Sequence, residues 1–408
     1  MRVFTARCCL ILATLACAVA PVQAQEWTRF RGPNGTGISL AKSVPTRWTE
    51  SDYNWSVALP GIGHSSPVAW GDKIFVTSAN EDTAERMVLC LDAADGHVLW
   101  KHNYSSAVHP KHLRNSFASS TPAVDQNHVY VSWTAPEEYT LMALDHDGRD
   151  AWRINLGPFV SQHSGGTSPI VYRDMVVLGN DQDGPSFLTA VGCRDGKTVW
   201  RVDRTSAVVA YSTPCVHDDG KQPAELIFNS QAHGISGIDP YTGHTNWELD
   251  VFNKRSVSSP VIAEGLVFGT CGSGGGGNYV AAVRPGDHPK LEYKVTDGAP
   301  YVPTLLAKDG LLFLWSDKGV VSCVQAATGK PVWQKRVGGN YSGSPVCAGD
   351  HLYCIADDGT VVVLAAAEKY RLVSRNPLGE DSRSTPSVAD GRLYLRTYRH
   401  LISLGGKK

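Results

Sequence analysis

The chain has 408 residues with 38 basic and 39 acidic side chains, a formal net charge of −1. That balance, with no basic stripe, excludes an electrostatically driven nucleic-acid binder. Forty glycines and 23 prolines with almost no helical periodicity point to short strands joined by tight turns.

Arg2 and Arg7 precede an apolar run, 8–20, followed by Pro21-Val22-Gln23-Ala24. A charged start, an apolar stretch too short to span a bilayer and a small-residue site predict a signal peptide over 1–24, cleaved after Ala24. The expected location is therefore periplasmic or secreted. A lipid anchor at Cys17 is the weaker reading, because Thr14 stands three residues earlier where Leu is expected. No other segment is apolar enough for a membrane helix, so no integral membrane segment is expected. Residues 25–53 read as a turn-rich leader whose aromatics staple the terminus to the flank of the main domain, 54–408.

From His64 to Tyr104 the sequence reads as one unit of four strands. Ser65-Ser66-Pro67-Val68 opens the first, Ile74-Phe75-Val76 returns after Gly71-Asp72, Met87 to Leu91 makes the third, and Val98-Leu99-Trp100 the fourth. Runs rich in β-branched and aromatic residues, punctuated by Gly and Asp, are antiparallel strands with tight turns. One such sheet cannot bury both faces alone. The opening recurs with prolines at 67, 122, 169, 214, 260, 303, 345 and 386, about 46 residues per repeat, the size of a propeller blade.

The closing turn recurs as well, ending at Trp100, Trp152, Trp200, Trp247 and Trp333, with Tyr293 expected in blade 5 and Tyr370 in blade 7. These aromatics are assigned to blade docking. The eighth blade supplies three strands before Lys408, and Asn54-Trp55-Ser56-Val57 resembles an orphaned fourth strand. The fold predicted is all-β, an eight-bladed propeller closed by that N-terminal strand. Closure removes both open sheet edges and favours a monomer.

Seven cysteines follow residue 24: Cys90, Cys193, Cys215, Cys271, Cys323, Cys347 and Cys354. They read as small core residues, and the diagonal between Cys347 and Cys354 is long for a disulfide. Loops running from a fourth strand to the next first strand share one face with second-to-third-strand connections and are the longest and most polar. They nominate His64, Arg114, Asn115, His163, Tyr211, Arg255, Tyr301, Tyr341 and Arg383 as ligand-binding residues around the channel mouth. His109 and His112 lack a third metal ligand, so no metal site is expected. The run 272–277 is followed by no Gly-Lys-Ser/Thr and reads as a strand connection, not a phosphate loop.

The S-[ST]-P-V opening and D-x-x-[TD]-G-x-x-x-W turn resemble the pyrroloquinoline-quinone (PQQ) repeat. The chain is similar to exported bacterial PQQ-binding-like β-propeller proteins across nearly its whole length after the signal. Matching segments include Trp27…Phe30-Arg31-Gly32-Pro33, Asn115 to Pro122, Val280 to Gly286 and Ser382 to Leu404. The resemblance extends to the propeller lipoprotein of outer-membrane barrel assembly and, more distantly, to quinoprotein alcohol dehydrogenases. It implies an envelope protein. The adjacent cysteine pair of the dehydrogenases occurs here only as Cys8-Cys9 in the signal, and the chain leaves little length for their calcium-site insertions. The reading is a non-catalytic scaffold for an envelope protein or glycan, with no cofactor. The alternatives are a quinoprotein oxidoreductase using PQQ with calcium, and a glycan-active enzyme drawing on loop acids such as Glu81, Asp82, Glu380 and Asp381.

Overall fold

The structure, a computed structural model, describes residues 27–406. The predicted signal peptide and Cys17 lie outside them. Eight sheets, each built on four antiparallel strands that run in sequence order from axis to rim in all blades but the last, form an eight-bladed propeller, and the sheet of blade 7 gains a short fifth strand from the leader. Blades 1 to 7 span 68–104, 123–155, 170–206, 215–249, 261–295, 306–336 and 346–377. Blade 8 takes Ser387–Ala389, Arg392–Arg396 and His400–Gly405 and completes itself with Tyr53–Ala58, Trp55 lying opposite Ser403. The N-terminal strand thus closes the ring.

Middle strands such as Arg86–Asp92 and Met175–Asn180 are buried almost throughout, because each blade packs both faces against neighbours. Phe75, Val88 and Cys90 of blade 1, for example, share a core with Val129, Val131 and Met142 of blade 2. The seven cysteines among the described residues are all buried and free.

The fourth-strand aromatics lock the seams. Trp55, Trp100, Trp152, Trp200 and Trp333 donate their indole N–H to a turn carbonyl of the following blade, on Ala93, His146, Cys193, Pro240 and Ala367, at 2.8–3.1 Å. Tyr293 Oη does the same to Ala326 O. One seam bond differs and one expectation is corrected. Trp247 packs in the core shared by blades 4 and 5, but its N–H donates within its own blade, to Glu225 Oε2 at 2.8 Å, because blade 5 carries Arg284-Pro285-Gly286 in place of the Asp-to-Gly turn and Gly286 has open space around it. Blade 7 has Ser374, not Tyr370, in the tryptophan register; Tyr370 instead receives the edge of Trp333 at 5.2 Å.

Around the axis runs a ring of hydroxyls, one per blade. The main-chain N–H groups of Ser66, Thr121, Ser168, Thr213, Ser259, Thr304 and Ser344 each donate to the Ser or Thr hydroxyl of the next blade, ending on Thr385, at 2.9–3.4 Å. Blade 6 enters through Thr304-Leu305, so Pro303 sits two residues out of the register expected of it.

The leader does not staple the flank. It crosses the channel at the face opposite the long loops. Trp27 pairs with Ala69 of blade 1, Val124 N–H of blade 2 donates to Thr28 O, and Asn34 bonds Val216 of blade 4. Arg31 is fully buried and donates to Leu305 O at 2.8 Å and Pro345 O at 3.2 Å; Arg29 donates to Pro214 O. Gly32 adopts φ 65° under the Trp27 ring, where a Cβ would lie 2.5 Å from an indole carbon. Ile38–Ser39 then pairs in parallel with Val346–Ala348, the innermost strand of blade 7. The chain leaves along the seam between blades 7 and 8, where Thr46 O accepts from Ser374 and Asn376 and Trp48 is buried, filling the place of the absent tryptophan.

Candidate ligand cavity at the open mouth of the channel

With one end of the channel plugged, the other is a cup. Its cavity measures about 870 Å³, with Phe30 of the leader among its lining residues. The hydroxyl ring sets the chain direction, so the residue two positions earlier faces the mouth in blade after blade; His64, Tyr211 and Arg383 hold that place. Loops from the fourth strands add Arg114, Asn115, His163, Arg255 and Tyr301. Eight of the nine nominated residues therefore line one cavity. Tyr341 does not: it is fully buried, covering Trp315 edge-on at 5.4 Å, because that large indole at the end of a second strand needs an apolar lid.

The walls are tied together by hydrogen bonds. Asn115 Nδ2 donates to His163 O at 2.7 Å and Gly165 O at 3.0 Å, joining the loops after blades 1 and 2. The His112 and His163 rings meet edge-on at 4.9 Å. Asp317 accepts the N–H groups of Tyr301 (2.7 Å) and Val302 (3.2 Å) and so orients that loop. Lys254 Nζ donates to Gly276 O at 2.7 Å, holding the 272–277 connection against the mouth. Arg383 donates Nε to Tyr398 Oη at 2.8 Å, and His64 packs on the same Tyr398 ring.

The cavity is basic although the chain is nearly neutral. Arg114, Arg255, Lys318, Arg336 and Arg383 line it against a single carboxylate, Asp317. Burial pushes the His64 imidazole down to about 3, helped by Arg383, Arg396 and Lys111. Burial also lowers His112, followed by His163, Arg114, Arg383 and Arg255. The His64 ring is therefore held neutral at neutral pH by removal from water beside fixed cations. Burial raises the Asp317 carboxyl.

Sequence reasoning missed Asp317, Lys318, Arg336 and Phe30. The first two lie in a second-to-third-strand turn, a loop class already assigned to this face. Phe30 had no such signal. Of the loop acids, Glu81 pairs with Lys111 at 2.7 Å, Glu380 holds His400 at 2.9 Å, and none of the four lines the cavity. His109 has both ring nitrogens engaged, by Ser164 Oγ and Ala107 O. Calcium takes six to eight oxygen ligands. One carboxylate already bonded to two N–H groups, and no cysteine in the lining, do not match the donor set of a calcium-dependent quinone centre.

Comparison with known proteins gives the architecture a lineage. An outer membrane protein assembly factor BamB from Yersinia pestis is 26% identical over 237 residues, 52% of this chain and 54% of the relative, so the match spans about half of each. The crystal structure of BamB from Moraxella catarrhalis superposes with a TM-score of 0.63 at 16% identity, covering 86% of this chain and 96% of that one. The quinohemoprotein alcohol dehydrogenase of Comamonas testosteroni gives 0.69 at 14% identity, covering 94% and 81%. These structural likenesses establish the fold alone. Residues 46–201, 88–287 and 290–397 match the PQQ_2 sequence family, described as outer membrane protein assembly factor BamB, and the chain belongs to that family.

Proposed function

We propose that this protein is an exported, non-catalytic propeller that acts as a binding scaffold in the cell envelope and engages a protein or glycan partner at its open mouth. The observation that carries the reading is the asymmetry of the channel: the leader closes one end, and the longest loops rim the other. Those loops expose Val108, Leu113 and Val160 at 60%, 93% and 53%, apolar contact area beside a polar cavity. Membership of the assembly-factor family supports an envelope scaffold with a protein partner, and a periplasmic address agrees with the predicted signal.

The test is site-specific photo-crosslinking in intact cells, with the reactive residue at 113 or 160 and a control at Val199 on a fourth strand. Discrete adducts at the mouth and none at the control are expected. No adduct at the mouth of a folded, exported protein overturns the reading. A parallel measurement compares the melting temperature with and without PQQ plus calcium beside a dye-coupled alcohol oxidation assay. A site saturated at a hundred times its dissociation constant adds about 2.7 kcal/mol. A corresponding rise together with turnover would replace the scaffold by the quinoprotein.

A further inference from the structure

We infer that the cavity at the open mouth binds a compact polyanion, a ligand carrying two or more carboxylate, phosphate or sulfate groups. The inference deepens the scaffold reading by naming the chemistry of its mouth, and it rests on that mouth being the ligand face.

Three observations converge. The first is the basic lining, with five cationic side chains against the already bonded Asp317. The second is unspent donors. Among the described residues the Arg255 guanidinium makes no hydrogen bond, although its Nε is buried, and Arg383 leaves a buried Nη1 without a partner. Fully buried Arg31 instead gives its terminal nitrogens to the Leu305 and Pro345 carbonyls, and Arg396, outside the cavity lining, gives Nη1 to Ser65 while its Nη2 has no partner among the described residues. Burying a guanidinium nitrogen without an acceptor is unfavourable, and a planar fork of donors matches an oxyanion. The third is the hydroxyl ring below. Each of its seven linked hydroxyls accepts an N–H and, among the described residues, has no acceptor for its own proton, and Ser66 Oγ has no partner there. The cup thus offers donors from wall and base with little to accept them. Its volume of about 870 Å³ and closed floor suit a small molecule, or the end of a chain, entering from the mouth.

Calorimetric titration of the mature protein with inorganic tripolyphosphate, citrate and trigalacturonate tests this. At least one probe is expected to bind one-to-one, with affinity that falls as salt rises. Arg255→Gln and Arg383→Gln should each weaken it ten-fold or more, and Arg149→Gln, on an exposed turn, should not. Preference for tripolyphosphate or citrate identifies a free small anion; preference for trigalacturonate identifies the acidic end of a glycan. No saturable binding by any probe, or equal affinity in all three variants, overturns the inference. Circular dichroism establishes that the variants fold, and either cavity variant alone suffices. Loss of anion binding with cross-linking at 113 intact would separate this proposal from the scaffold role.

Discussion

The two ends of the channel use the same side chain in opposite ways. At the closed end Arg29 and Arg31 are buried, and although the Nε of each has no partner among the described residues, the protein supplies acceptors for their terminal nitrogens, the carbonyls of Pro214, Leu305 and Pro345. Burial lowers Arg31 to about 9 and Arg29 to about 10, so both stay charged at neutral pH and hold the leader across the axis. At the open end Arg255 and Arg383 sit in a wall of cations with donors left over. A guanidinium whose terminal nitrogens are provided with acceptors is part of the architecture; one whose terminal nitrogens lack them is available to a ligand. The difference separates plug from pocket better than net charge or composition does.

The largest break in this comparison is removal of the plug itself. Deleting everything up to Leu59 takes away the leader and the fourth strand of blade 8, exposing two sheet edges and opening the channel. The truncated chain is expected to unfold or oligomerise, read by light scattering and thermal melting; a monomer with an unchanged melting temperature would refute the closure. Next in size is Arg31→Met, which leaves the Leu305 and Pro345 carbonyls buried without donors. A loss of about 2–4 kcal/mol is expected from chemical denaturation.

How much of this could be read from the sequence depends on whether a contact repeats. Blade count, docking tryptophans and the closing strand at Trp55 recur every 46 residues or so, and repetition made them visible. Opposite those aromatics the third strand carries a small residue, Cys90 facing Trp100 and Ser403 facing Trp55. What broke the repeat was hidden: the Trp247 N–H bonding within its own blade, Ser374 in the tryptophan register, Leu305 standing where a proline does elsewhere. The leader was illegible for a different reason. Arg29 and Arg31 recognise main-chain carbonyls, and carbonyls leave no mark in a sequence. The mouth was legible in outline because its loops are long and polar, yet its charge was not, since Arg114, Arg255, Lys318, Arg336 and Arg383 come from loops and strand ends far apart in a nearly neutral chain.

The open end predicts a pH effect of intermediate size. His64 has its pKa lowered to about 3 in the folded protein against an ordinary 6.5. Below pH 6.5 the unfolded chain takes a proton there that the folded chain refuses. The stability due to neutral His64 is thus present above 6.5 and is lost as pH falls toward 3. His64→Gln removes that contribution, so its melting temperature should fall less than the wild type's between pH 7 and pH 5. With allowance for solvent at the half-buried ring, the difference should be about 1 kcal/mol. Parallel curves would mean that the imidazole titrates normally.

The smallest expected effect is the sharpest test of the comparison. Arg255→Gln removes a guanidinium with no hydrogen-bond partner from a site where Arg255, Arg114 and Arg383 all act on His112. Nothing in the protein loses a donor, and mutual repulsion is relieved. Stability without ligand should therefore change by less than about 1 kcal/mol, in the stabilising direction. The same kind of residue at the closed end is expected to cost several times that. If Arg255→Gln destabilised the protein as much as Arg31→Met, Arg255 would have an acceptor within the protein, and the open mouth would be architecture like the closed one.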